Sequence, residues 1–382
     1  MKSNRIVHPK KSHPGFVYVR DWQTAHTINQ DFANFGPPDM GEYLIQLQQK
    51  TDKDLSTLIA ISRNALFFLK GDRHKQLRKE TLKVFGKKNI KQWESVIDKT
   101  VTEYLQFLKH QNNPDLVAHY THPIFAEITK KILGIEVRDQ EQFDYWTLQL
   151  QTLVEPLLPV RELERMNQAY KMLIADTKIS PRQNKENPFN GITLIESLKR
   201  ARIENFNETD AFAATIVTYG AAINLSQTLA NIIWHLLNAP APIRALAAQE
   251  TWVAANMEYL IKIGASPKYI HAISKKDQNI LNTPLKKGDN VLLDLLEIHE
   301  IGCPFTNQNL WDKNQIQNDT HMAFGTGIRF CIGSILTKSV LQKAIPQIFK
   351  AFPNIKARDA APKISPLKQT LIIPSIPLKN LN

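Results

Sequence analysis

Phe324-Gly325-Thr326-Gly327-Ile328-Arg329-Phe330-Cys331-Ile332-Gly333 sets a single cysteine among three glycines and an arginine. Glycines at 325, 327 and 333 remove the side chains that would keep backbone from lying flat against a large planar ligand. From Ile332 to Ile345 apolar residues recur at helical spacing, so Cys331 is expected at the N-terminus of a helix. Unpaired amides and the helix dipole there favour a thiolate over a thiol. Arg329, two residues earlier, brings a permanent cation and a planar fork of donors suited to a carboxylate. A haem answers both features, with iron for Cys331 and a propionate for Arg329. A buried structural thiol is the ordinary reading of a free cysteine, and this neighbourhood weighs against it.

The order Phe324, Gly327, Arg329, Cys331, Gly333 resembles, without gap or substitution, the haem-ligand signature of the cytochrome P-450 family. The resemblance implies a single domain over residues 1–382, mostly α with small β-sheets, with the haem between a long central helix and the cysteine-loop helix. It implies haem b (iron protoporphyrin IX) as cofactor, Cys331 as the iron ligand, and Phe324, Gly325 and Gly333 in the haem pocket. Asp72–Phe85 looks like the family's haem-contacting helix, with His74 and Arg78 at its propionate-binding positions; four residues apart, they share a helical face. His271 lies near the place of another propionate-binding arginine. Asp115–Val137 is similar to the family's segment after its second core helix. The family's movable substrate lid falls at about 140–200, where Trp146, Leu153, Leu157 and Leu158 either face substrate or simply pack.

Composition agrees with a globular oxidoreductase without requiring one. Of 382 residues, 43% are hydrophobic and 22% charged, enough apolar material for a large core. The only cysteines are Cys303 and Cys331, so with Cys331 assigned to iron no disulfide framework is expected. The N-terminal residues are basic and polar with no apolar run behind them, which predicts neither signal peptide nor membrane anchor and a soluble, cytoplasmic protein. The net charge of +12 comes from scattered lysines, with no aromatic-interleaved basic stripe, so nucleic acid is not expected as a partner. A basic face is instead suited either to plain solvation or to steering an acidic electron donor such as a ferredoxin or flavodoxin.

Helical spacing extends over Lys75–Phe85, Lys91–Gln111, Phe125–Leu133 and Thr209–Leu237, and the last is long enough to cross a domain. Strands are expected at Asn290–Leu293 and Thr370–Ile373, and loops near 35–40 and 180–192.

Two places depart from the family pattern. Oxygenases of the family carry small residues, an acid and a threonine on the central helix as a proton relay. Here the helix reads Thr218-Tyr219-Gly220-Ala221-Ala222-Ile223-Asn224-Leu225-Ser226. One register puts Ile223 and Asn224 at the acid and the threonine, the other Ala222 and Ile223; in both the acid is missing, and isoleucine carries no proton. Gly220 and Ala221 keep room above the iron, Asn224 offers a hydrogen bond to a distal ligand or water, and Ser226 offers a hydroxyl. The family's Glu-x-x-Arg helix corresponds to Glu258-Tyr259-Leu260-Ile261-Lys262, with isoleucine in the arginine's place. The arginine expected near Leu310–Gln315 is also missing. Losing the whole charge set together leaves no partner stranded, so a replacement network around Glu258 and Lys262 is expected.

The resulting expectation is a haem-thiolate oxidoreductase, a monooxygenase or an atypical oxidative enzyme of secondary-metabolite biosynthesis, acting on a small hydrophobic organic substrate. Against it stands a P-450-like haem protein, altered in catalysis, that serves as a binding or recruitment scaffold.

Overall fold

A 30-residue helix, Glu208–Leu237, forms the axis of the molecule. Asn207 caps it in a reciprocal box: its side chain accepts from the Asp210 amide at 3.0 Å, and the Asp210 carboxylate accepts from the Asn207 amide at 3.1 Å. Asn238 and Pro240 follow its end. Its sequence is apolar around nearly the whole circumference, and so it is buried along most of its length. This computed structural model describes residues 16–150, 155, 158–179, 191–280, 283–301, 310–312, 316, 320–359, 362–366 and 369–381. Cys303, Leu153, Leu157 and positions 180–190 of the expected polar loop lie outside them.

Helices His122–Leu133 and Met257–Gly264 pack directly on the central helix. The first opens with Pro123 in its first turn and closes on Gly134, whose φ of +77° is a left-handed C-terminal cap. Helix Gly71–Phe85 buries His74, Leu77, Thr81, Val84 and Phe85, a single stripe at three- and four-residue intervals. The expected helix Lys91–Gln111 is in fact two, Lys87–Gln92 and Glu94–Lys109. The break falls at Trp93, which leaves the helical register and buries its indole, with only 5% exposure. Gly191 lies so close beneath that a Cβ there would come within 2.4 Å of the Trp93 indole nitrogen.

A four-stranded sheet flanks the helices in the order Phe16–Val19, Asn290–Asp294, Tyr269–Ser274, Phe35–Gly36. Phe16–Val19 runs parallel to Asn290–Asp294 with Val17 opposite Val291, and the other pairings are antiparallel. Within the expected loop at 35–40, two residues thus join the sheet before helix Met40–Thr51 begins. The expected strand Thr370–Ile373 does not form a ladder. It makes one bridge, from Thr370 to Pro267, and the Ile373 amide turns instead to Gln227 Oε1 at 3.1 Å. Pro267 and Pro374 have no N–H to donate, which breaks a ladder at both ends.

Among the described residues no helix is long and apolar enough to cross a membrane.

Candidate functional site

A cavity of about 790 Å³ opens between the central helix and the Phe324–Gly333 loop. On one wall stand Gly220, Ala221, Ala222, Ile223 and Asn224; on the other stand Phe324, Gly325, Arg329, Cys331 and Gly333. The loop is folded by its own backbone. The Cys331 amide donates to Phe324 O at 2.8 Å, Gly325 N to Met322 O at 2.8 Å and Phe330 N to Gly327 O at 3.1 Å. Gly325 and Gly327 sit at φ of +66° and +62°, where a side chain would be strained, and a Cβ on Gly327 would also press to 2.9 Å from the Phe32 ring. At Gly333 the φ of −80° is open to any residue, and a Cβ there would lie 3.8 Å from Cys331 Sγ, an ordinary contact. Its smallness keeps the space beside the sulfur open, and the backbone does not demand it.

Helix Ser334–Ala351 begins three residues after Cys331, as its sequence predicts. The Cys331 side chain is open to the cavity yet ringed by protein. Burial pushes its thiol up, against the opposing pull of the Gly333 and Ser334 amides and the Arg78 cation. The amides thus pull toward the thiolate as expected, and without a metal desolvation outweighs them.

Three basic side chains gather on the loop side of the cavity. Arg329 donates to the carbonyls of Leu66 at 3.4 Å and Leu69 at 2.6 Å, and Arg78 donates to Phe330 O at 2.6 Å. These bonds tie the cysteine loop to residues 66–69 and to the Arg78 helix. They also leave other guanidinium N–H groups unused, since each arginine has five. His74, only 4% exposed, is held neutral, its pKa driven down to about 4 by burial and by Arg329 and Arg78. Among the described residues none of the three pairs with a carboxylate. Such a cluster is matched chemically by a dianion, and with a cysteine facing the same cavity the residues present fit a haem with its two propionates. His271, on strand Tyr269–Ser274, lines the same cavity; its Nε2–H donates to Asn290 Oδ1 at 2.8 Å, and burial keeps it neutral.

On the central helix, Asn224 donates from Nδ2 to Ala221 O at 3.0 Å and accepts at Oδ1 from Ser266 Oγ at 3.0 Å. Ser226 does not belong to the site: it is fully buried, with its hydroxyl 3.4 Å from Thr121 Oγ1 on the far side of the helix. Leu158 lines the cavity, whereas Trp146 packs against the core.

The Glu258 network is real but differently composed. Glu258 pairs with Lys338, on the helix that follows the cysteine loop, and accepts from His321 Nε2 at 3.0 Å. Burial would raise the Glu258 carboxyl, but Lys338 and His321 outweigh it and hold the group below the usual carboxylate range. His321 Nδ1 accepts from the Ala323 amide at 3.2 Å, so its proton is on Nε2 and the ring is neutral. His299 Nε2 accepts from the Met322 amide at 2.8 Å. Two imidazoles thus hold the residues leading into Phe324, whose ring lies 5.8 Å from that of His321. Lys262, expected as the partner of Glu258, is buried nearby and acts as a positive charge on His299 and His321. Lys338, His321 and Ser266 were not legible as site residues; all are ordinary residue types whose partners lie far along the chain.

The fold has many solved counterparts. The structure of P450BioI in complex with acyl carrier protein ligated to hexadec-9Z-enoic acid superposes with a TM-score of 0.77 at 17% identity, covering 95% of this chain and 92% of the other. CalO2 superposes at 0.76 and 17% identity, over 96% and 91%. The sequence is 23% identical to a putative cytochrome P450, YjiB, of Bacillus subtilis over 78% of this chain and 76% of that protein. It is 22% identical to the biotin biosynthesis cytochrome P450 of the same organism, over 95% and 91%. No family model matches the chain. The proteins it resembles are named cytochrome P450s, and that likeness supports an oxidoreductase of P450 type with a haem iron as cofactor. Over most of its length the chain is similar in sequence to bacterial cytochrome P450s, and it shares their fold.

Acid should destabilise the haem-free protein. His74 and His235 are each depressed to about 4 and His299 to about 3 from an ordinary 6.5, chiefly by burial. Well above pH 6.5 folded and unfolded chains are equally deprotonated at these sites and the full stability is present. Between 6.5 and 4 the unfolded chain binds extra protons, and stability falls by up to about 1.4 kcal/mol per pH unit for each. Urea midpoints at pH 7 and pH 5 test this; equal midpoints would refute it.

Proposed function

We propose that this protein is a haem-thiolate monooxygenase that oxidises a small hydrophobic organic substrate of biosynthetic origin, with Cys331 as the axial ligand of haem b. The observation that carries this reading is the convergence, on one cavity, of the Cys331 sulfur with His74, Arg78 and Arg329, which have no carboxylate partner among the described residues. When bound, a haem with a thiolate ligand supplies oxidising power by favouring O–O cleavage, and coordination to the cation removes the thiol proton that burial retains. Arg78, Arg329 and His74 would hold the propionates, and His271, whose one N–H is given to Asn290, would join them only on gaining a second proton. Phe67, Phe68, Leu158 and Ile223 supply apolar walls that exclude water and orient the substrate. Electrons come from a separate acidic donor of ferredoxin or flavodoxin type, drawn by the positive net charge. A non-catalytic scaffold would have no use for a sulfur held open to the cavity.

The central helix departs from a proton relay. Ile223 holds no proton, and the Asn224 amide donates a hydrogen bond without releasing one. The proton therefore reaches the cavity from water or from a polar group of the substrate, which Asn224 orients. Asn224→Ala should lower coupled turnover by about 10- to 100-fold while raising peroxide release. Unchanged turnover together with unchanged peroxide release would remove Asn224 from the mechanism.

The ferrous carbon monoxide spectrum of the haem-supplemented protein tests the whole reading. A red-shifted Soret band is expected; haem bound without that shift, or no stoichiometric haem uptake, would overturn it.

A further inference from the structure

We propose that Ser266 is a positioning residue that holds the Asn224 amide in one of its two flips, so that an N–H and not a carbonyl oxygen faces the cavity opposite Cys331. This rests on the haem-thiolate reading and adds to it a residue outside the central helix.

The chemistry of the partners determines the flip. A backbone carbonyl only accepts, so the group 3.0 Å from Ala221 O is the amide nitrogen of Asn224. Oδ1 is then the atom 3.0 Å from Ser266 Oγ, and the serine hydroxyl donates to it. Ser266 has a second acceptor within reach, Leu371 O, but at 3.3 Å, and a hydroxyl has one proton to give. The shorter contact goes to Asn224. Ser266 itself is fully buried at 0% exposure, and its carbonyl accepts from the Leu371 amide at 2.6 Å, so its backbone is held in place.

Asn224 Nδ2 carries two hydrogens. Ala221 takes one; the other is left for the cavity that Asn224 lines. Nothing else on this stretch of helix replaces it: Ile223 is apolar, and the Thr218 hydroxyl is committed to Ala214 O at 2.7 Å. Reversing the amide would set Oδ1 against Ala221 O and lose the bond from Ser266. Removing the serine hydroxyl deletes one of the two bonds that choose the orientation, which reduces the preference by about fivefold.

The C–O stretching band of the ferrous carbon monoxide complex of the haem-loaded protein reads this directly, because a donor near the bound diatomic lowers its frequency. The wild-type protein is expected to show one lowered band. Asn224→Ala should raise it. Ser266→Ala should split it into two, one near the wild-type position and one higher, and Ser266→Thr should restore a single band. A single band at the wild-type frequency in Ser266→Ala would overturn the proposal. Asn224→Leu provides a second route if Ser266→Ala folds poorly: it is of similar size and has no donor at any pH, so its band must lie above that of wild type, and an unshifted band would also overturn the assignment. A Soret band without the thiolate shift would overturn the haem-thiolate reading alone, since the variants' band pattern still reports the Asn224 amide; failure to take up haem would overturn both.

Discussion

Cys331→Ala is expected to reduce oxidation to background and to remove the thiolate signature from the carbon monoxide spectrum, while leaving the helical circular dichroism of the protein unchanged. The physical reason for so local an effect is in the loop. What Cys331 gives the fold is backbone, namely its N–H to Phe324 O at 2.8 Å and its carbonyl to Ser334 N at 3.4 Å, and alanine keeps both. Its side chain faces the cavity and not the core, so truncation removes no core packing. Arg78, Arg329 and His74 remain, and haem is still expected to bind, through its propionates. Normal turnover by this variant would show that the thiolate assignment is wrong.

The second large effect lies outside the cavity. Glu258→Ala removes the carboxylate that joins helix Met257–Gly264, the His321 loop and helix Ser334–Ala351. His321, with a side chain 7% exposed, loses the acceptor of its Nε2–H, and Lys338 loses its counter-charge. A fully buried pair broken on one side costs about 3 to 5 kcal/mol. Here Glu258 and Lys338 are 40% and 37% exposed, water screens the charge, and the expected loss is about 2 kcal/mol. Because the Glu258 carboxyl is held below its ordinary 4.5, this contribution is present above that pH and disappears as pH falls through the folded value. The double variant Glu258→Leu with Lys338→Leu should lose less than the two single variants added together, since no charge is left unpaired. Additive losses in urea unfolding would show that the pair is not coupled. Haem retention should fall with stability, since the network anchors both approaches to the cysteine loop.

Much of this protein was legible in its sequence because the deciding features are contiguous. The cysteine loop occupies ten successive residues, and its left-handed glycines at 325 and 327 act within one or two residues of themselves. His74 and Arg78 share a face simply because they are four apart on a helix. The central helix could be read from its apolar residues at helical spacing, with its first residue one place from that observed and its last the same. Local periodicity failed at Trp93, where two helices meet at a buried indole, and at Thr370–Ile373, which is flanked by prolines and makes a single bridge.

What tertiary structure alone decided is which side chain meets which across long stretches of chain. Glu258 and Lys338 are 80 residues apart, and Asn224 and Ser266 are 42 apart. The sequence shows that the usual arginines and the usual acid are missing; it does not show that a lysine and a histidine take up the carboxylate, or that a buried serine orients the asparagine. Pairwise contacts of that kind depend on how helices cross, and the crossing is determined by the packing of the whole core rather than by any short stretch of residues.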